Sequence, residues 1–511
     1  MKIDTIIING KVLTMENHQP FAEAIAISDG KIAAIGSDNE IALLAKAETE
    51  IIDAGQNTVL PGFIDAHVHF MGTGLDASSV CLTGALNHKE LFHRLKAYEA
   101  GLKNNAWLRG YGYDETRYAE NALPDIDALN AAFPNRPVFL SRIDAHSCFM
   151  NDIAFKLLEI KPETEGIICE NGRFTGVLRA AANSKARKKM SDELITDEVR
   201  KEAMLAGAEI ALKEGVTSLH ALEGGSLFSD KDMDVMLKYQ QELPIRTLLY
   251  HQITDVSKVK SEGLPRIGGC ITVDGSLGSY TAALLEPYAD KPVTSGAPYM
   301  TQKDIDDFVM EAHISNMQIA MHTIGDKAIE MLMQAYEKAL NKYPRNNHRH
   351  RFEHFSVPTY DQIRRAGNMN VCISVQPSFD YLTSYTMMPA RLGKERVKRS
   401  YPLRSLIEEG LIIAGGSDSN ITPISPLLGI YSSMQHSNPL QRLSLYESIK
   451  LFTINAAYLG FEEKVKGSLK IGKLADIVIL KGDLLNTSSH EIKDVEILKT
   501  IVGGQVKYHN D

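Results

Sequence analysis

The feature that most constrains this chain is a regular alternation of short apolar runs with helix-patterned stretches through its middle. Eight runs have the length and composition of strands, near residues 58–68, 215–222, 245–251, 268–274, 317–322, 348–354, 370–376 and 411–417. Most are followed by a stretch long enough for a helix, as after Asp304, Asp326, Thr359 and Ser444. Strands alternating with helices build a parallel sheet, and eight such units are what a closed (β/α)8 barrel requires.

The ends of the chain read differently. Ile6-Ile7-Ile8 runs into the tight-turn pair Asn9-Gly10, and Ala24-Ile25-Ala26-Ile27 runs into Asp29-Gly30 before Ile32–Ile35. Matching strand signals return at Asp476–Leu480, Ile497–Val502 and Val506–Tyr508. Hairpins this small form no core alone. We therefore expect one small β-sandwich assembled from residues 1–57 and 468–511, with an α/β TIM-like barrel over 58–467. The gap between the first two barrel strands, residues 72–200, exceeds what one crossover helix needs. It carries its own strand signal at Pro137–Leu140 and helix signals near 88–103 and 193–213. An inserted α/β subdomain covering the barrel mouth is expected there.

Charge narrows the function classes. The 511 residues carry a formal net charge of -9 with both signs mixed along the chain. Such a surface repels nucleic acid and anionic lipid, so neither partner is expected and a small-molecule substrate is. The five cysteines are widely spaced, a reduced rather than a disulfide pattern. With no signal peptide and no membrane-length apolar run visible, a cytoplasmic protein is expected.

The chemistry-bearing residues fall at strand ends. In PGFIDAHVHF, His67 and His69 close the first run, and residues i and i+2 of a strand face the same side. His322 ends the fifth run, His354 the sixth, and Asp418 follows the eighth. Taken singly, each histidine also has a reading as a satisfied structural residue, and Asp418 one as a helix cap. Together they lie where the carboxyl ends of barrel strands converge, the place for a metal site.

These residues sit in VLPGFIDAHVHF, VDGSLGSYTAALLEPY, HTIGDKAI, RFEHF, GGSDSNITPISPL and TINAAYLGFEEKVKGSLKIGKLADIVIL. The set resembles the amidohydrolase superfamily, and within it the amidohydrolase-3 branch that includes N-substituted formamide deformylase. The resemblance extends over almost the whole chain. It implies one or two zinc-type divalent ions held by His67, His69, His322, His354 and Asp418. It also implies a homodimer as the candidate assembly. Many members place a carbamylated lysine four residues before the DGS motif; here that position is Cys270. A thiolate is itself a zinc ligand, at about 2.3 Å. The other reading is a small packed residue beside a single ion.

The implied reaction is hydrolysis of a non-peptide amide C–N bond of N-acyl or N-formyl type. Asp418 would pass a proton from water to the leaving nitrogen, with His322 or His354 sharing that work. The same site would also suit a lactone, carbamate, cyclic imide or deamination, and a non-catalytic scaffold is the third reading. On the substrate side, Arg142 and His146 suit a carbonyl or carboxylate, a structural salt bridge being the other reading for the pair. Tyr113 and Asp114, in a glycine-rich loop, read as a pocket wall, and Ser279 as part of a loop over the fourth strand.

Overall fold

The computed structural model describes residues 2–103, 106–142, 147–161, 163–225, 229–383 and 387–510. The chain divides into two compact units, one of Met1–Phe70, Ala208–Ser226 and Leu237–Asp511, the other of Met71–Gly207 and Leu227–Met236.

In the larger unit, eight parallel strands form one sheet: β1 (Phe63–Val68), β2 (Val216–Glu223), β3 (Arg246–His251), β4 (Arg266–Thr272), β5 (Gln318–Thr323), β6 (Arg351–His354), β7 (Cys372–Val375) and β8 (Ile412–Gly415). Each strand pairs with its chain neighbour, so the sheet order is the sequence order. The two outer strands then meet. Asp418 N donates to His67 O at 2.8 Å, His69 N donates to Ser419 O at 2.6 Å, and Val68 bridges Ser419 in parallel. The result is a TIM-like barrel. All eight residues of β2 are buried, as expected of a parallel strand covered on both faces.

The helices after the strands begin where the sequence marks them. Thr301 with Asp304, Thr359 with Gln362, and Ser444 with Glu447 form capping boxes at the starts of Gln302–Ile314, Tyr360–Met369 and Leu445–Leu451. Among the described residues no helix is long and apolar enough to cross a membrane.

One expected strand divides in two. Thr58–Pro61 pairs with Ile477–Leu480 and Lys11–Leu13 in a six-stranded terminal sheet, and only after Gly62 does β1 begin. Gly62 has no room for a side chain: a Cβ there would lie 2.2 Å from Thr217. A four-stranded sheet of Thr5–Ile8, Ala24–Ser28, Lys31–Gly36 and Glu50–Asp53 supplies Ile7, Ile25, Ile27 and Ile52 to a cluster shared with Val59, Ile477, Ile479 and Ile501 of the other sheet.

The smaller unit is built on a six-stranded sheet. Its order is Ile167–Glu170, Arg173–Arg179, Ser147–Met150, Val138–Arg142, Leu108–Tyr113 and Val80–Cys81. This corrects the reading of Gly110–Asp114 as a loop. The stretch through Tyr113 is a strand between two parallel neighbours, with its glycines allowing the close approach of Leu140 and Thr83. Within this unit Asp232 accepts from Nε of the buried Arg200 at 2.7 Å.

Candidate metal centre

The barrel brings His67, His69, Cys270, His322, His354 and Asp418 together at the carboxyl ends of its strands. Three overlapping triads have ligand atoms within 4.8 Å of one another: His67, His69 and Cys270; Cys270, His322 and His354; and His67, His354 and Asp418. Nε2 of His67 and Nε2 of His69 each lie 3.2 Å from Asp418 Oδ1. Cys270 Sγ lies 3.4 Å from His322 Nδ1 and 4.0 Å from His354 Nε2. All six side chains are buried.

Three backbone devices aim them. β1 is irregular between Asp65 and Val68, where its register with β2 shifts, and from its end both His67 and His69 reach the cluster. On β4, Gly268 and Gly269 take positive φ of 95° and 104° and the register with β5 shifts there, a bulge that re-aims the strand before Cys270. On β6, Arg351 and Glu353 already face the barrel interior, so strict alternation points His354 outward. Positive φ at His354 and Phe355 turns the chain back and delivers the imidazole to the cluster. Asp418, with φ of 56°, is aimed the same way. It caps no helix, since the next one, Pro426–Met434, is capped by Ser425.

Each imidazole has its other nitrogen engaged, which fixes the tautomer. His67 Nδ1 donates to Glu353 Oε2 at 2.7 Å, His69 Nδ1 to Leu222 O at 3.3 Å, and His354 Nδ1 to Gln376 Oε1 at 2.6 Å. His322 is reversed: Nε2 donates to Gly275 O at 3.2 Å and Nδ1 faces the thiol. Each histidine therefore presents a lone pair to the cluster, the arrangement of metal-ligating imidazoles.

Charge makes the same demand. Burial pushes the Asp418 carboxyl up, but the His67 charge beside it holds it well below the usual range. Burial likewise raises the Cys270 thiol, and the His322 charge with hydrogen bonds from His322, His354 and His67 brings it well below its ordinary value. His67, His69 and His322 are driven upward in return against the effect of burial, His322 to about 9 and chiefly by Cys270. His67 Nε2 and Asp418 Oδ1 are both buried without a hydrogen-bond partner, only 3.2 Å apart. Two anionic donors and four oriented imidazoles fit a zinc-type divalent ion, which would take the place of the protons that His67, His69 and His322 otherwise hold.

Around this cluster lies a layer centred on Arg351 and Glu353, which sequence reading did not single out. Arg351, fully buried, donates to both oxygens of Glu353, to Tyr250 Oη, to Ala66 O and to Nδ1 of His220. His220 is thus spoken for by an arginine; burial, then the Arg351 charge, holds it neutral. Asp65 Oδ1 accepts from the amides of His67 and Ser417 and so ties β1 to the end of β8. Asp274 accepts from the amides of Ala283, Ile324 and Gly325, fixing the loops after β4 and β5. The signal for Arg351 and Glu353 was present: opposite charges at i and i+2 on a strand whose other residues are Phe352 and the ligating His354.

Of the expected substrate-side residues, Tyr113, Asp114 and Arg142 belong to the smaller unit and Ser279 to the larger. Arg142 Nε pairs with Glu115 at 2.9 Å and Nη2 with Asp114 at 3.4 Å, within the smaller unit. Tyr113 is buried in that unit's apolar cluster, and Asp114 caps the short helix Glu115–Arg117. Ser279 sits in an exposed turn, its hydroxyl 2.8 Å from Ser276 and 2.7 Å from Thr281. His146 lies outside the described residues.

Comparison with known proteins places this geometry in company. Residues 50–508 match the model of the amidohydrolase family. The chain is 30% identical to the putative amidohydrolase YtcJ of Bacillus subtilis, covering 98% of each. It is 24% identical to N-substituted formamide deformylase of Arthrobacter pascens, over 99% of this chain and 98% of that one. An uncharacterized metal-dependent hydrolase of Pyrococcus furiosus superposes with a TM-score of 0.81 at 28% identity, covering 94% of this chain and 99% of the other.

Proposed function

We propose, from the premise that this chain belongs to the amidohydrolase family, that it hydrolyses a non-peptide amide of N-acyl or N-formyl type. The observation that carries the reading is the convergence of Asp418 and Cys270 with four tautomer-fixed histidines on one buried point. The likeness to a formamide deformylase over nearly the full length of both chains supports the bond type.

The ligand set we assign is His67, His69, Cys270, His322, His354 and Asp418, with the Cys270 thiolate common to two of the triads. A divalent ion held there supplies Lewis acidity, polarising an acyl carbonyl and acidifying water. The chain's own part follows from its geometry. Asp418, kept ionised by the histidines, accepts a proton from the attacking water as the new C–O bond forms. It returns that proton to the departing nitrogen as the C–N bond breaks, so a carboxylate and an amine leave. His322 and His354 flank the thiolate, each presenting a lone pair to the ligand cluster while its N–H is engaged elsewhere. Glu353, itself held by Arg351, keeps the His67 ring oriented.

The test is a substrate panel on protein stripped by chelator and reloaded with zinc. N-formyl amines and N-acyl amino acids are expected to release amine and carboxylate only after reloading. Turnover confined to lactones or to ring deamination would displace the amide reading. Full zinc loading with no turnover of any panel member would make the chain a scaffold.

A further inference from the structure

The smaller unit contains a cavity of about 500 Å³ that the hydrolytic chemistry does not use. Its size is that of a small-molecule site. The lining brings together Tyr98, Trp107, Arg109, Met190, Ile195 and Val199. Trp107 packs against the apolar cluster that includes Met190 and Ile195, so one wall is aromatic and aliphatic.

Arg109 is the unusual member. It is mostly withdrawn from water, yet among the described residues it makes one hydrogen bond, from Nη2 to Ser78 O at 3.2 Å, and no direct ion pair, the Asp76 carboxylate acting on it from beyond pairing distance. A guanidinium has five donors and matches a carboxylate in a two-pronged fit. Tyr98 stands close enough to feel the Arg109 charge. At the rim, Glu198 and Glu202 add negative charge, Glu202 paired with Lys103 at 3.3 Å. Those rim carboxylates disfavour a dianion such as a phosphate ester and leave room for a single negative charge.

The cavity wall is built, not loose. The chain from Met190 to Leu194 forms one π-helical turn, a geometry that recurs at functional sites. The fully buried Arg200 donates to the carbonyls of Ser191 and Ile195 and is held through Nε by Asp232. The irregular backbone is thus satisfied from behind, and it stays open toward Arg109.

We propose that this cavity binds a small apolar monocarboxylate, with Arg109 and Tyr98 taking the carboxylate and Trp107, Met190 and Ile195 the hydrocarbon. Trp107 is the one tryptophan of the chain, so its emission reports on the site directly. Full-length protein is titrated with hexanoate and with the uncharged hexanamide. Hexanoate is expected to give a saturable change in emission, with binding at least about tenfold weaker for hexanamide and for Arg109→Gln. Tyr98→Phe is expected to weaken hexanoate by a smaller factor. Absence of a saturable change, or equal binding of hexanoate and hexanamide, would overturn the proposal. If Arg109→Gln fails to fold, the comparison of the two ligands on the unaltered protein decides alone.

Discussion

Glu353 Oε2 lies 2.7 Å from Nδ1 of His67, and neither side chain is exposed to solvent. The same carboxylate is gripped by Arg351 through both its oxygens. One buried group therefore orients a metal-facing imidazole and neutralises a buried guanidinium. Glu353→Gln keeps the shape and removes the charge. We expect metal affinity about 10- to 100-fold lower in a chelator competition, together with a loss of stability on the order of 3 kcal/mol in urea unfolding, because Arg351 is left without its carboxylate. Unchanged metal affinity with lowered stability would reduce Glu353 to a packing role.

Cys270 belongs to two of the three ligand triads, so its removal touches both ends of the cluster. Elemental analysis of the zinc-loaded protein is expected to give close to two ions per chain, falling by about one in Cys270→Ala. Loading with cobalt instead should produce a thiolate charge-transfer band that the variant lacks. One ion in both proteins, with identical cobalt spectra, would make Cys270 a packed residue beside a single ion.

Asp418 takes φ of 56°, a left-handed conformation that asparagine tolerates about as well as aspartate. Asp418→Asn therefore tests the charge without straining the backbone. With zinc in excess, kcat is expected to fall about 10²- to 10⁴-fold, the usual worth of a proton-transfer group. A fall of less than about tenfold would move the proton-carrying role to His322 or His354.

Much of this architecture was legible in the chain, and what was not has identifiable causes. The barrel strands stand out because a parallel sheet is buried on both faces, so a strand such as Ile412–Gly415 reads as an apolar run. The ligands stand out because they close those runs. Alternation alone, however, points His354 away from the site; the positive φ that turns it back leaves no mark on side-chain type. Nor does spacing reveal that Glu353 and not water meets His67. Gly110 and Gly112 suggested a loop, but the close approach of Leu140 and Thr83 across a parallel sheet is what requires them.

Gly268 tests whether the bulge in β4 sets the Cys270 position. It has φ of +95°, and a Cβ there would lie 2.0 Å from the backbone oxygen of Ala320. Backbone on one side and a left-handed conformation on the other leave no inexpensive relaxation. Gly268→Ala is expected to lose more than about 3 kcal/mol in urea unfolding and to bind fewer metal ions even where it stays folded. Unaltered stability would show that β4 runs without the bulge.

Away from the metal cluster, His348 gives the protein a built-in acid sensitivity. Its side chain is buried, with Nε2 donating to Met369 O at 2.9 Å and Nδ1 accepting from His350 N at 3.0 Å. Burial pushes its pKa from 6.5 down to about 4, and the neighbouring charges of Arg345 and His313 act in the same direction. A depressed value means the unfolded chain takes up a proton that the folded protein refuses. Stability is therefore fully present above pH 6.5, falls as pH drops from 6.5 towards 4, and stops falling from this source once the folded form protonates too. Across that window the one group is worth about 3 kcal/mol, at about 1.4 kcal/mol per pKa unit. His348→Gln retains a side chain able to make hydrogen bonds but cannot titrate. Urea unfolding at pH 7, 6, 5 and 4.5 is expected to show a slope of stability against pH shallower by about one proton in the variant. Parallel slopes for the two proteins would mean that His348 takes up its proton as readily folded as unfolded.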